Sequence, residues 1–103
     1  GRDHWMRDIF VLLDRDRTGY IGAEQLAEYA RLSGFVGDSN SWALEFDGLC
    51  CRHGWSHHLL DPAAFARHVS DSSHERFQTD ESLRRICATL RRQAKCEPPA
   101  SPG

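Results

Sequence analysis

No run of apolar residues in this chain approaches the roughly 18 that a membrane-crossing helix needs. Charged residues interrupt every apolar stretch near the N-terminus, so no signal peptide is expected there. Cysteine is sparse as well. Four in 103 residues fall well short of a disulfide scaffold, and two of them, Cys50 and Cys51, are adjacent and poorly placed to bond each other. Free thiols in a reducing, cytoplasmic compartment are the simpler expectation. Strand-like alternation never persists beyond two or three residues, which points away from a β fold. The net charge is only -2, too small for a dedicated nucleic-acid binder. That small sum hides an asymmetry: residues 1–83 hold 14 acids against 8 Arg and Lys, while residues 84–103 hold one acid against five. With 40% hydrophobic and 27% charged residues, the composition is that of one globular domain and excludes disorder throughout.

What remains is helical spacing. Residues 3–13 place Trp5, Met6, Ile9, Phe10, Leu12 and Leu13 mostly on one face. After a polar stretch the spacing resumes at Ala23 with Leu26, Ala27, Tyr29, Ala30 and Leu32, and Ser33-Gly34 is a suitable stop. Asp38, Ser39 and Asn40 offer N-caps to a third helix carrying Trp42, Phe46, Leu49 and Cys50. Asp61-Pro62 opens a fourth, with Ala63, Phe65, Ala66 and Val69. Thr79 caps a fifth over 80–95, acidic at its start, with the stripe Leu83, Ile86, Cys87 and Leu90 and a basic remainder. The expected fold is all-α, a single domain over 1–95, with 96–103 a frayed, proline-rich tail.

The polar stretch between the first two helices carries the chemistry. Counting from Asp14 as position 1, Asp16 stands at 3, Thr18 at 5, Gly19 at 6, Tyr20 at 7, Ile21 at 8 and Gln25 at 12. Oxygen side chains at 1, 3 and 5 with glycine at 6 are the pattern of a 12-residue calcium loop. With its flanking apolar residues, the segment 3–33 resembles an EF-hand. The resemblance implies Asp14, Asp16, Thr18, Tyr20 (through its backbone carbonyl) and Gln25 as calcium ligands. The departure is Gln25, where the family places a bidentate glutamate, so the binding implied is weak or vestigial.

EF-hands come in pairs, and the calmodulin-like resemblance implies a second hand over 40–70. Phe46 and Leu49 align with Phe10 and Leu13, Leu60 with Ile21, Asp61 with Gly22, and Phe65 with Leu26. The intervening region has no carboxylate before Asp61, so this hand would keep the scaffold without calcium. Ile21 and Leu60 would face each other in a short two-stranded bridge between the loops. A third, weaker match places Asp71, Ser73 and Glu75 at positions 1, 3 and 5, with Arg76 where glycine belongs. Such sharing of the fourth helix is similar to the penta-EF-hand group; a polar connector is the alternative.

Cys50, Cys51, His53, His57 and His58 crowd one stretch and are zinc-type ligands, but adjacent cysteines are not the usual paired spacing. A Cys-His catalytic pair lacks a deep pocket and an orienting third group in so small a helical domain, so no enzyme is expected. The basic fifth helix either closes the domain with its stripe or imitates a target helix in a groove between the hands. The reading is a monomeric module for a protein target, with no nucleic-acid or membrane partner, and calcium as its ion. The alternative is a zinc-binding or purely structural helical domain.

Overall fold

The computed structural model describes residues 1–96. The element order is α1 (Arg2–Leu13), α2 (Ala23–Leu32), α3 (Ser39–His53), a 3₁₀ turn (Ser56–His58), α4 (Pro62–Val69) and α5 (Asp80–Cys96). The chain is all-helical across these residues. The helix expected to stop at 95 includes Cys96, and the rest of the expected tail, 97–103, lies outside the described residues. None of the described helices is long and apolar enough to cross a membrane.

Local chemistry sets the helix ends. Asp38 accepts from the Ser41 amide at 2.8 Å to start α3, and Asp61 accepts from the Ala64 amide at 2.7 Å to start α4, with Pro62 in the first turn. Thr79 Oγ1 accepts from the Ser82 amide at 3.2 Å at the start of α5. α2 stops at a Schellman turn: the Phe35 amide donates to the Ala30 carbonyl at 2.8 Å and the Gly34 amide to Arg31 at 3.3 Å. Gly34 has φ +116°, a conformation that a side chain would strain.

The apolar stripes meet in one core. Ile9, Leu13, Ile21, Leu26, Leu60, Phe65, Leu83 and Cys87 are almost wholly buried. Phe65 receives Phe10 at 5.9 Å and Tyr29 at 5.3 Å between ring centroids, both within the range of favourable aromatic pairs. A second aromatic run, Phe35, Trp42, Phe46 and Trp55, has successive centroids 5.2 to 6.1 Å apart and fastens α3. The Trp42 indole N–H donates to the Ala23 carbonyl at 2.8 Å, which satisfies its one buried donor. On α4 the buried face is Ala64, Phe65, His68 and Val69, so Ala63, expected inside, faces solvent.

α5 lies along α1 with Leu83, Ile86, Cys87 and Leu90 all buried, so its stripe closes the domain. Pairing of Arg2 with Asp80 and of Asp8 with Arg91 shows that the two helices run in the same direction.

The link between the two loops differs from the expected ribbon. No strand forms among the described residues; the connection is one antiparallel residue pair. Ile21 and Leu60 exchange both backbone hydrogen bonds at 2.9 Å. The ladder cannot extend because its neighbours are committed elsewhere. The next pairs that could bond across are Gly19 with Pro62 and Ala23 with His58. The Gly19 amide donates to Asp14 Oδ2, Pro62 has no N–H, Ala23 opens α2, and the His58 amide donates to the Trp55 carbonyl.

Candidate functional site

The loop between α1 and α2 is organised by Asp14, which is buried as α1 ends. Its Oδ1 accepts from the Thr18 amide at 3.1 Å and the Thr18 hydroxyl at 3.3 Å, and its Oδ2 accepts from the Gly19 amide at 2.9 Å. Gly19, at φ +88°, makes the sharp bend that lets both amides point back at one carboxylate. The single proton of the Thr18 hydroxyl is shared between Asp14 and the Tyr20 carbonyl, which lies nearer at 3.0 Å. Gln25 Oε1 accepts from the Gly22 amide at 2.9 Å, one arm of a capping box that starts α2. Asp16 is exposed.

Of the five sequence-predicted ligands, Asp14, Asp16, Thr18 and Tyr20 lie in the loop and Gln25 in the first turn of α2, and all but Asp16 spend their oxygens on local hydrogen bonds. The donor set is chemically suited to a hard cation: two carboxylates, a hydroxyl, a carbonyl and an amide oxygen. Its charge is weak, because Arg15 and Arg17 follow Asp14 and Asp16 alternately and offset them. Glu28 draws Arg15 away, at 3.0 Å.

The second loop, between α3 and α4, has different contents. Trp55 is buried; its ring stacks on His53 at 5.0 Å and lies 6.1 Å from Phe46. His57 and His58 both take left-handed conformations, at φ 58° and 57°. The Cys and His side chains of this stretch scatter. Cys50 is buried and its thiol is pushed up by that burial, Cys51 is exposed, and His57 and His58 face outward. Among the described residues no three His, Cys, Asp or Glu side chains are arranged to hold a metal ion.

The segment that matched a third loop is a chain of turns. Asp71 accepts from the Ser73 hydroxyl at 2.5 Å and the Ser73 amide at 3.0 Å, and these contacts, the hydroxyl first, hold its carboxyl below the usual range. Arg76, at position 6, lacks the positive φ that Gly19 supplies in the first loop. Arg76 instead turns inward, pairing with Glu45 at 3.2 Å and lying 5.3 Å over the Phe35 ring.

Two side chains that sequence spacing left unnoticed are His68 and His74. His68 is 6% exposed, and burial foremost, then His74, His53 and Arg76, pushes its pKa down to about 4. Its i+3 and i−1 relations to Phe65 and Val69 were the available signal: it completes the apolar face of α4. On the opposite side, α1 and α4 bound an open cleft of about 350 Å³ lined by Met6, Phe10, Val11, Ala63 and Ala66. No protein-family profile matches the chain, and no curated protein or solved structure matches it closely.

Proposed function

We propose that this chain is an EF-hand-like, calmodulin-like protein-interaction module that binds calcium weakly through its first loop and catalyses no reaction. The observation that carries the reading is the Asp14-centred loop joined to its neighbour by the reciprocal Ile21–Leu60 bonds. Two further features support it. Gly22 and Asp61, which align in sequence, are both helix N-caps. Leu26 and Phe65, which also align, are both buried to 1% exposure or less.

The mechanism follows from the donor chemistry. A sensor hand opens when its twelfth residue draws the exiting helix toward the ion. Gln25 draws with one neutral oxygen, already used to start α2. Ion binding therefore couples poorly to opening, and the surface for a protein target, including the α1–α4 cleft, is constitutive. The module acts as a monomer on a protein target, without nucleic-acid or membrane partners.

The test is a calcium titration followed by amide NMR, with a zinc titration in parallel. Calcium shifts concentrated in residues 14–25 at millimolar concentration are expected, and Gln25→Glu should tighten binding about tenfold or more. An absence of shifts in that loop would remove calcium from the reading. Zinc shifts around 50–58 would favour the zinc-binding alternative.

A further inference from the structure

Three imidazoles converge where α3, α4 and the 70–79 segment meet. The His68 ring lies 5.8 Å from His53 and 5.0 Å from His74, edge-on to both. Trp55 closes the group, stacked on His53 and 5.6 Å from His68. The His74 side chain is 8% exposed, and its Nδ1 accepts from the Arg76 amide at 3.1 Å. Two nitrogens, His53 Nε2 and His68 Nδ1, are buried with no hydrogen-bond partner.

A neutral imidazole tolerates such a place because one of its nitrogens is a bare lone pair. A proton added there creates a second N–H donor and a full charge, with no acceptor in reach. The groups around His68 mostly oppose that charge. α3 presents His53 and Glu45, α2 the buried phenol of Tyr29, and α1 Arg2, which donates to the Val69 carbonyl. The 70–79 segment presents Asp71, His74, Glu75 and Arg76. Of the carboxylates, Glu45 is engaged by Arg76 and lies 3.9 Å from His74 Nε2, Glu75 also pairs with Arg76, and Asp71 is turned to Ser73. Glu45 favours a charged His74, but burial and Arg76 outweigh it.

We propose that His68, packed between His53 and His74, is an acid-operated latch, whose protonation releases the 70–79 segment and the end of α3 from α4 while α1 and α5 stay packed. The segment is otherwise held by Gln78 Nε2 to the Ser33 carbonyl, Arg2 to the Gln78 carbonyl and over the Phe77 ring, and Arg76 and His74 to Glu45, with Arg76 also over the Phe35 ring. The α1–α5 contact rests chiefly on buried apolar side chains that do not titrate in this range, with the Arg2–Asp80 and Asp8–Arg91 pairs at its edge.

The sign follows from linkage. A released His68 takes up its proton near the ordinary value of about 6.5, and the closed form only near 4. The open form thus binds more protons between those values. The closed form has its full stability above about pH 6.5 and loses it as pH falls toward 4. The opening constant rises up to about 300-fold across that window. Burial, then Arg76, lowers His74 in the same direction.

The intact chain is titrated from pH 7.5 to 4 by NMR, following the histidine ring protons and the backbone amides together. The expected result is a His68 midpoint well below 6, with residues 50–58 and 70–79 shifting in step while α1 and α5 hold. His68→Gln should abolish that joint transition above pH 4.5. Arg76→Gln provides a second check should the first variant fail to fold, and should raise the His68 midpoint. Four results would overturn the latch: an ordinary His68 midpoint with no accompanying shifts, loss of all helices together, an unchanged transition in His68→Gln, or an unmoved midpoint in Arg76→Gln. Its outcome is independent of calcium at the first loop.

Discussion

In the first interhelical loop the Asp14 carboxylate gathers two backbone amides and a hydroxyl. In the second, where no carboxylate precedes Asp61, the Trp55 ring lies beneath the backbone between Phe46 and His53. Both loops nonetheless deliver one residue to the same reciprocal backbone pair and both end in an N-cap. The difference teaches that the backbone link between two helix–loop–helix units does not depend on what fills the loop. A polar filling leaves side-chain oxygens, Asp14 foremost, inside the loop. An aromatic filling leaves none, and brings ring nitrogens into the core instead.

The largest effect that would break this comparison is expected from Trp55→Ala. Removing a buried indole should cost about 3–5 kcal/mol, read as a lower urea midpoint at unchanged slope. If the loops are filled independently, calcium shifts in residues 14–25 should survive in the folded fraction. Next come Ile21→Ala and Leu60→Ala, each at 0% exposure and each expected to cost about 2–4 kcal/mol. Because the two residues are paired, their double mutant should fall short of additivity by about 1 kcal/mol; strict additivity would mean that the loops do not support each other. Asp14→Asn keeps the shape of the side chain and removes its charge. It should cost about 1–2 kcal/mol, because the new NH2 cannot accept and so one of the bonds from the Thr18 and Gly19 amides is lost while the other loses its charge assistance, with calcium shifts in the loop lost.

Much of this organisation was legible in the sequence because it is local. Capping residues and 3.6-residue spacing located the helices, and the alignment of Ile21 with Leu60 found the bridging pair. Three things were not legible. The bridge contracts to a single pair because the next bonding positions are taken: Gly19 donates to Asp14, Pro62 has no N–H, Ala23 opens α2 and His58 donates to Trp55, a matter of geometry that spacing does not carry. His68 reads as polar, yet it completes an apolar face, because a neutral imidazole packs like an aromatic ring. The crowding of Cys50, Cys51, His53, His57 and His58 in sequence suggested a metal site. Helical rotation and the left-handed turn send those side chains in different directions.

The two loops also share a backbone feature that gives the smallest and cleanest comparison. His57 in the second loop and Arg17 in the first are both exposed and both left-handed, at φ 58° and 54°. A Cβ in that region is crowded by its own backbone, at about 1–2 kcal/mol for an ordinary residue. Histidine is among the residues found there more often, so its strain lies at the low end. Glycine removes the strain but also gives the unfolded chain more freedom, which takes back part of the gain. His57→Gly and Arg17→Gly should therefore each stabilise the fold by about 0.5 kcal/mol. His57→Val should destabilise it by about 1–2 kcal/mol, since a β-branched side chain fits this region worst. The readout is the urea midpoint of each variant against the parent. Equal shifts for the two glycine variants would mean that the turn geometry is common to both loops whatever fills them. A loss of stability in Arg17→Gly alone would mean that the first loop uses the arginine side chain itself, and that its filling reaches beyond Asp14.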